Sequence, residues 1–230
     1  MVQILELFGG IGSPRCALRN IGIPVKSIDY VEIDEAAVRS YNAMFAKDLS
    51  YKTQTVVGYN LRPDILIHGS PCQDMSIAGH QGTATGNGRI NHGAGAEEGS
   101  GTRSSLMWET INIIKQMGEW KPKYVIWENV KNVRSKYMMH NHDRYMEELS
   151  KLGYTSTYEL LDAREFGIPQ ARERYFTVSC LKGKKFDFSD KGMVADNIGN
   201  EEPAIILKDK NKFENLKPTI WFEVEDVAIF

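Results

Sequence analysis

Residues 2–20 of this chain read VQILELFGGIGSPRCALRN. The apolar run at residues 3–7 predicts a buried strand, and the glycines after it end that strand. Ser13 is a typical helix N-cap and the proline after it suits the first helical position, so we predict a helix over residues 13–20. A strand, a glycine-containing turn and a helix in this order are typical of the first unit of an α/β domain.

The same alternation continues along the chain. We predict further strands at residues 27–31, 64–68, 124–127, 155–161 and 175–180, and further helices at residues 35–45, 104–117 and 144–152. This order predicts an α/β fold with a mostly parallel sheet and helices on both faces. The alternation fades after residue 180, so we expect one domain over residues 1–180 and the start of a second region over residues 181–230.

Composition narrows the class of protein. The 230 residues include 28 Lys plus Arg and 30 Asp plus Glu, a balance that argues against a simple basic coat for nucleic acid. Cys16, Cys72 and Cys180 are widely spaced and odd in number, which excludes a disulfide scaffold and a Cys-rich zinc site, so we expect no metal. No apolar run approaches the roughly 18 residues that cross a bilayer, so we expect a cytoplasmic protein without membrane contact.

Three motifs directly follow predicted strands. They are FGGIG at residues 8–12, GSPCQ at residues 69–73 and ENV at residues 128–130. Ligands of parallel α/β sheets bind outside the carboxyl ends of the strands. The sequence therefore predicts that a glycine turn, a thiol and a carboxylate meet at one edge of the sheet.

The glycine turn favours a nucleoside-bearing cofactor. Gly10 and Gly12 allow a sharp turn and a close approach of the backbone to a ligand. The full G-x-G-x-x-G pattern is not met, because Arg15 takes the place of its last glycine. Glu32, at the end of the second strand, can accept hydrogen bonds from ribose hydroxyls. The alternative is a tight turn with a solvated acid.

The other two motifs carry reactive groups. Cys72 is a candidate nucleophile if nearby positive charge favours its thiolate, and a small buried residue otherwise. Glu128 follows apolar residues, and burial there would raise the pKa of its carboxyl so that it can share a proton with a substrate. The alternative is an ion pair with Lys131 or Arg134. We expect Cys16 and Cys180 to be structural.

Two further segments bear on function. Arg172 and Arg174 lie on the same side of an extended segment and suit phosphate or carboxylate, although Glu173 could simply pair with them at a solvated edge. Residues 79–103 hold eight of the twenty glycines and almost no large apolar side chain, which predicts a long mobile loop.

Together these motifs resemble those of C5-cytosine-specific DNA methyltransferases of bacterial or phage type. FGGIG, Glu32-Ile-Asp, GSPCQDMS, RSSLMW, ENV and GIPQARER occur in the family's order over residues 3–180. The resemblance implies a Rossmann-like methyltransferase fold that uses S-adenosyl-L-methionine. It assigns the cofactor contacts to Phe8, Gly10, Gly12, Glu32, Ile33, Pro71 and Leu106.

The resemblance also implies a reaction, methylation of C5 in a cytosine that is flipped out of double-stranded DNA. The Cys72 thiolate would add to C6, Glu128 would protonate N3, and Arg172 and Arg174 would hold the flipped nucleotide. The loop at residues 79–103 would close over the site. Further substrate contacts are assigned to Gln73, Ser76, Asn129 and Gln170.

Two late motifs of the family have no match, an arginine-rich helix and a Gly-Asn segment. Three interpretations stay open: a truncated chain, one part of a split enzyme completed by a separate C-terminal subunit, and a naturally short relative. The alternative function is a non-catalytic or incomplete subunit that binds cofactor or DNA. An RNA methyltransferase of the same family and a nicotinamide oxidoreductase are weaker alternatives. A restriction-modification role and a phage or regulatory role both stay open.

Overall fold

The computed structural model describes residues 2–20, 22–23, 25–45, 50–57, 62–71, 103–136, 138–166, 169–183 and 185–188. The elements found there, in chain order, are β1 (Val2–Leu7), α1 (Ser13–Asn20), β2 (Val25–Val31), α2 (Glu35–Phe45), β3 (Ile65–His68), α3 (Met107–Gln116), β4 (Tyr124–Val130), α4 (Met139–Lys151), β5 (Tyr154–Asp162) and β6 (Glu173–Leu181). One turn of 3₁₀-helix, Arg103–Leu106, leads into α3.

The six strands form one sheet in the order β2-β1-β3-β4-β6-β5. The pairs β1–β2, β1–β3 and β3–β4 are parallel, whereas β6 runs antiparallel to both β4 and β5. The link between β5 and β6, residues 163–172, is shorter than the dozen or so residues that a parallel crossover needs. The α/β class and the mostly parallel sheet are confirmed, with an antiparallel strand inserted near one edge.

Helices cover both faces of the sheet. On one face, Leu5, Leu66 and Val125 belong to a large buried cluster that includes residues of α3 and α4. On the other face, Ile4 and Ile67 pack with Leu18 of α1. Burial of alternating strand residues on both sides is the main source of stability in such a layered domain.

Two helix starts differ from the prediction. The α-helical part of α3 begins at Met107, because the preceding residues form the 3₁₀ turn. Helix α4 begins at Met139 rather than at residue 144. Its first turns bury Asn141 and His142, and polar residues give no apolar periodicity from which to predict a helix. Across the described part of the chain, no helix is long and apolar enough to span a bilayer.

The strand register aligns the ends of the central strands. Leu7 pairs with His68, His68 with Trp127, and Trp127 with Thr177, in one row across the sheet. The residue after each of the first three members of this row therefore lies at the carboxyl edge. Two of those residues are Gly69 and Glu128.

Candidate active site

The glycine turn, residues 8–12, contains three residues with positive φ: Phe8 at 55°, Gly10 at 52° and Gly12 at 92°. A Cβ on Gly12 would lie 2.6 Å from ring atoms of Tyr41 and Phe45, so packing alone requires glycine there. A Cβ on Gly10 would meet no atom within 4 Å. Gly10 is therefore the glycine of the turn whose Cα is open on its Cβ side, while its N–H and C=O are bonded to Glu32 and Tyr30.

Glu32 ties this turn to the end of β2. Its Oε2 accepts a hydrogen bond of 3.0 Å from the backbone N–H of Gly10, and its Oε1 accepts bonds of 2.7 Å and 2.9 Å from the N–H groups of Ile33 and Asp34. A carboxylate has about four acceptor positions, so roughly one remains for a ribose hydroxyl. Ile33 beside it is 72% exposed, which leaves an apolar surface next to the carboxylate.

Glu128 lies beside Arg174 at the carboxyl end of β4. Its Oε1 is 3.0 Å from Nε of Arg174, with side-chain exposures of 26% and 22%. That oxygen is buried, and its contact with Arg174 is an ion pair between two partly buried side chains. Burial raises the pKa of Glu128, and the charges of Arg174 and Arg172 offset part of the rise. The carboxyl therefore holds a proton more readily than an exposed glutamate.

Lys131 and Arg134, the alternative partners of Glu128, form ion pairs with other side chains. Lys131 pairs with Glu173 at 2.8 Å, and Arg134 pairs with Asp143. Glu128 therefore pairs with Arg174 rather than with Lys131 or Arg134, and the Glu173 carboxylate pairs with Lys131. The antiparallel β4–β6 register explains the difference, since it sets Val130 opposite Arg174 and lets the guanidinium reach Glu128.

The segment that leads to the predicted nucleophile lies next to Glu128. A Cβ built on Gly69 would be 3.6 Å from Glu128 Oε2, and the indole N–H of Trp127 donates a 3.1 Å hydrogen bond to Ser70 Oγ. Pro71 is half-buried. Cys72, Gln73 and Ser76 lie outside the described residues, as does the predicted loop except for Arg103.

The other residues predicted to contact cofactor or substrate lie in different surroundings. Asn129 is 3% exposed, its Oδ1 accepts a bond from the Val130 N–H, and its Nδ2 has no hydrogen-bond partner among the described residues. Leu106 is half-buried at the end of its 3₁₀ turn, and Phe8 packs against the large core cluster. Gln170 is exposed, in a short described stretch before β6.

A cavity of about 570 Å³ opens beside the Glu128–Arg174 pair. Its lining residues include Lys131, Arg134, Arg174 and Tyr175 together with Glu173, so it combines an aromatic ring with cations that are paired with carboxylates. These are the features that favour a nucleotide, since guanidinium and ammonium groups bind phosphate and an aromatic ring can stack on a base.

Buried ionisable groups near the site were not predicted from the sequence. Glu6 in β1 is fully buried, accepts a 3.1 Å bond from the Tyr41 hydroxyl, and has a pKa that burial raises to about 7. Burial lowers the pKa of His68 to about 3 and, with the charge of Arg134, that of His142 to about 4. The only signal in the sequence is a polar residue inside an apolar run, as in ILEL and ILIH.

Within the described ranges, no group of three His, Cys, Asp or Glu side chains is placed to hold a metal ion.

Comparison with known proteins gives a consistent result. The type II methyltransferase M2.ScrFI of Lactococcus lactis subsp. cremoris is 32% identical, over 83% of this chain and 64% of its own length. The orphan methyltransferase M.SPRI of Bacillus phage SPR is 31% identical, over 91% of this chain and 42% of its own length. The chain thus spans less than two thirds of either relative.

Solved structures of similar fold include the Dnmt2 methyltransferase of S. pombe, with a TM-score of 0.58 and 18% identity over 80% of this chain and 50% of that one. The Entamoeba histolytica methyltransferase EhMeth also has a TM-score of 0.58, with 20% identity over 81% of this chain and 55% of that one. The sequence model of the C-5 cytosine-specific DNA methylase family matches residues 2–221. The chain therefore belongs to the C-5 cytosine-specific DNA methylase family.

Proposed function

We propose that this chain carries the catalytic part of a DNA (cytosine-5) methyltransferase, which moves a methyl group from S-adenosylmethionine to C5 of a cytosine in double-stranded DNA. The observation that carries the proposal is the raised pKa of Glu128 beside Gly69, at the start of the segment that continues into Cys72. A carboxyl with a raised pKa, beside a segment that leads in sequence to a cysteine, suits activation of a pyrimidine ring. Family membership supports the same reaction.

The residues at the ends of β1 and β2 fit the cofactor. Gly10 is open on its Cβ side, Glu32 is held in place by three backbone N–H groups, and Ile33 offers an exposed apolar side chain. These groups would hold a nucleoside by its ribose and its flat ring. Phe8, Gly12, Pro71 and Leu106 are proposed as further contacts. When bound, S-adenosylmethionine supplies an electrophilic methyl group on a sulfonium.

Cys72 and Glu128 then divide the chemistry between them. The Cys72 thiolate forms a bond to C6, and the electron pair of the C5–C6 double bond becomes available at C5. Glu128 gives its proton to N3, which neutralises the charge that enters the ring. The C5 electron pair would form the bond to the methyl group as the methyl–sulfonium bond breaks, with S-adenosylhomocysteine as the leaving group. The C5 proton would then leave to a solvent base, and the Cys72–C6 bond would break. The double bond is restored, the thiolate is released, and N3 returns its proton to Glu128.

Arg174 and Arg172 keep the carboxyl in place and limit the rise of its pKa. A base inside a duplex cannot reach a buried catalytic group, so enzymes of this kind extrude the target nucleotide. The cavity lined by Lys131, Arg134 and Tyr175 could receive part of that nucleotide. Gln73, Ser76, Asn129 and Gln170 are proposed as further contacts to the substrate.

The proposal is tested by transfer of a tritiated methyl group from S-adenosylmethionine to cytosine-containing duplex DNA. We expect Cys72→Ala to abolish transfer and Glu128→Gln to lower kcat by roughly 10²-fold to 10⁴-fold, the usual contribution of a general acid. Cys180→Ala is the matched control, because Cys180 is a buried cysteine of β6 outside the proposed chemistry. Transfer that survives Cys72→Ala would refute the covalent mechanism, and transfer to tRNA in preference to DNA would reassign the substrate.

A second candidate function is that of one subunit of a split methyltransferase, which binds cofactor or DNA. It is supported by the share of the relatives' length that this chain spans. It predicts that the chain binds S-adenosylmethionine without methylating DNA, and that methylation appears when a second polypeptide is added.

A further inference from the structure

The indole ring of Trp127 packs against two histidine rings and a tyrosine ring in the core. Trp127 is 1% exposed. The ring of His68 lies parallel to it, at 4° and 5.7 Å between centroids, and the ring of His142 at 21° and 5.5 Å. The ring of Tyr145 is nearer still, at 4.5 Å between centroids, so the indole is closely packed by aromatic neighbours.

Neighbouring groups fix the stack itself. The Tyr145 hydroxyl of α4 lies 2.8 Å from His68 Nε2, within hydrogen-bond distance. His142, also in α4, has its Nε2 3.5 Å from Thr177 Oγ1 of β6. Because burial lowers the pKa of both histidines well below neutrality, the stack is uncharged at physiological pH. Trp127 thus sits in a rigid, neutral layer that joins β3, β4 and β6 to one helix.

The edge of the indole holds the 69–71 segment. Trp127 Nε1 donates a 3.1 Å hydrogen bond to Ser70 Oγ, and Ser70 is 4% exposed. Breaking such a bond would leave a buried donor without a partner, which costs more than the bond contributes on average. Ser70 is therefore strongly held at one position relative to β4.

Glu128 approaches the same segment from the opposite face of the sheet. Successive residues of a strand point to opposite faces, so Trp127 and Glu128 lie on different sides of β4. Trp127 contacts Ser70 while Glu128 lies beside Gly69. Two neighbouring residues of β4 thus contact two neighbouring residues of the 69–71 segment.

We propose that Trp127 is a positioning residue for methyl transfer, which fixes the 69–71 segment against Glu128 through the hydrogen bond to Ser70. This inference rests on the proposed function, because the segment continues through Pro71 into Cys72. The bond sets the separation between the start of that segment and the catalytic carboxyl. Loss of the indole N–H should therefore slow the covalent step without weakening DNA binding.

The first test measures the segment directly and requires no activity. Amide hydrogen exchange of Gly69 and Ser70 is compared in wild type, Trp127→Phe, Ser70→Ala and the double variant. We expect each single variant to speed exchange about tenfold, and the double variant to add little, because both remove the same bond. Trp108→Phe is the matched control, since Trp108 belongs to the same buried cluster and is 4% exposed. Wild-type exchange rates in Trp127→Phe would overturn the inference.

The second test links the bond to the reaction. In single turnovers of the full-length protein, Trp127→Phe and Ser70→Ala should lower the rate of covalent trapping by 5-fluorocytosine DNA about tenfold. KM for DNA should stay within about twofold, and Trp108→Phe should trap at the wild-type rate. If wild type traps and Trp127→Phe traps equally fast, the positioning role is wrong while the proposed function stands. If wild type does not trap at all, the proposed function fails, and the exchange measurement alone decides whether Trp127 positions the segment.

Discussion

Two buried carboxyls interrupt apolar strands, and their surroundings differ. Glu128 lies beside Arg174, whose charge offsets part of the cost of burial. Glu6 is bonded to the Tyr41 hydroxyl through Oε2, while its Oε1 has no hydrogen-bond partner in the described residues. Burial is the largest effect on the pKa of both carboxyls. At Glu6 the Tyr41 hydrogen bond and the charge of Arg15 offset part of it, and the pKa still rises to about 7. The sequence alone predicted a role for Glu128 because it begins a recognisable motif, but it gave no reason to single out Glu6.

Glu6 should make the stability of the domain depend on pH. The pKa rises from 4.5 in an exposed glutamate to about 7 here, so unfolding releases a proton between these values. The free energy of unfolding should fall as the pH rises through that window, by roughly 3 kcal/mol at most. Glu6→Gln should remove this slope. The measurement is urea unfolding of both proteins between about pH 4 and pH 8.

The difference between the two proteins isolates Glu6, because both contain His68 and His142. Burial lowers the pKa of these histidines, so their contribution to stability rises with pH and opposes that of Glu6. Glu119→Gln, at an exposed position, is the control. Parallel curves for wild type and Glu6→Gln would show that the carboxyl is not desolvated.

At the scale of elements, the five-residue glycine turn after β1 contains positions that allow close packing and a position that we propose binds the cofactor. Gly9 and Gly12 let it pack closely, since a Cβ on either would lie 2.6 Å from a ring atom of Tyr30 or Tyr41. Gly10 is open on its Cβ side and donates its N–H to Glu32. The proposed ligand-binding residue therefore lies between two glycines that are required for packing. The spacing of the glycines alone did not show which of them packs and which is open.

Alanine substitutions should separate these functions. Gly12→Ala adds a Cβ in contact with Tyr41 and Phe45 at a φ of 92°, so we expect it to cost roughly 3 kcal/mol of unfolding free energy. Gly10→Ala adds a methyl group in open space at a positive φ and should cost about 1 kcal/mol. Affinity for S-adenosylmethionine, measured by calorimetry, should fall at least about tenfold in Gly10→Ala, because the methyl would occupy the proposed cofactor space. Unchanged affinity would argue against the turn as the cofactor site.

At the scale of the whole molecule, the sequence predicted the type and order of the elements. It did not predict the direction of every strand or the partner of every side chain. The serine and proline at its start placed α1 correctly, and the apolar face that packs on the sheet placed α2. Periodicity could not show that β6 enters the sheet antiparallel, since strand direction depends on pairing with distant residues. That same pairing decides that Arg174, and not Lys131, meets Glu128. The stack around Trp127 was missed because buried histidines look like polar interruptions.

The family match spans residues 2–221, and the groups proposed for chemistry come from three segments of the chain. Glu128 and the 69–71 segment are brought together by β3 and β4, and Arg174 by β6. Because the formal charge is −2, the proposed contact with DNA would depend on particular residues rather than on overall attraction. Lys131, Arg134 and Arg174 around the cavity are the described candidates for such contacts.

The most direct measurement of the central claim is the identity of the residue that becomes bonded to the target base. The full-length protein is incubated with S-adenosylmethionine and duplex DNA that carries 5-fluorocytosine, and the protease-digested adduct is analysed by mass spectrometry. Because fluorine at C5 cannot leave as a proton does, we expect the base to remain attached to Cys72, with none on Cys16 or Cys180. An active protein that yields no adduct, or an adduct at any other residue, would contradict the account.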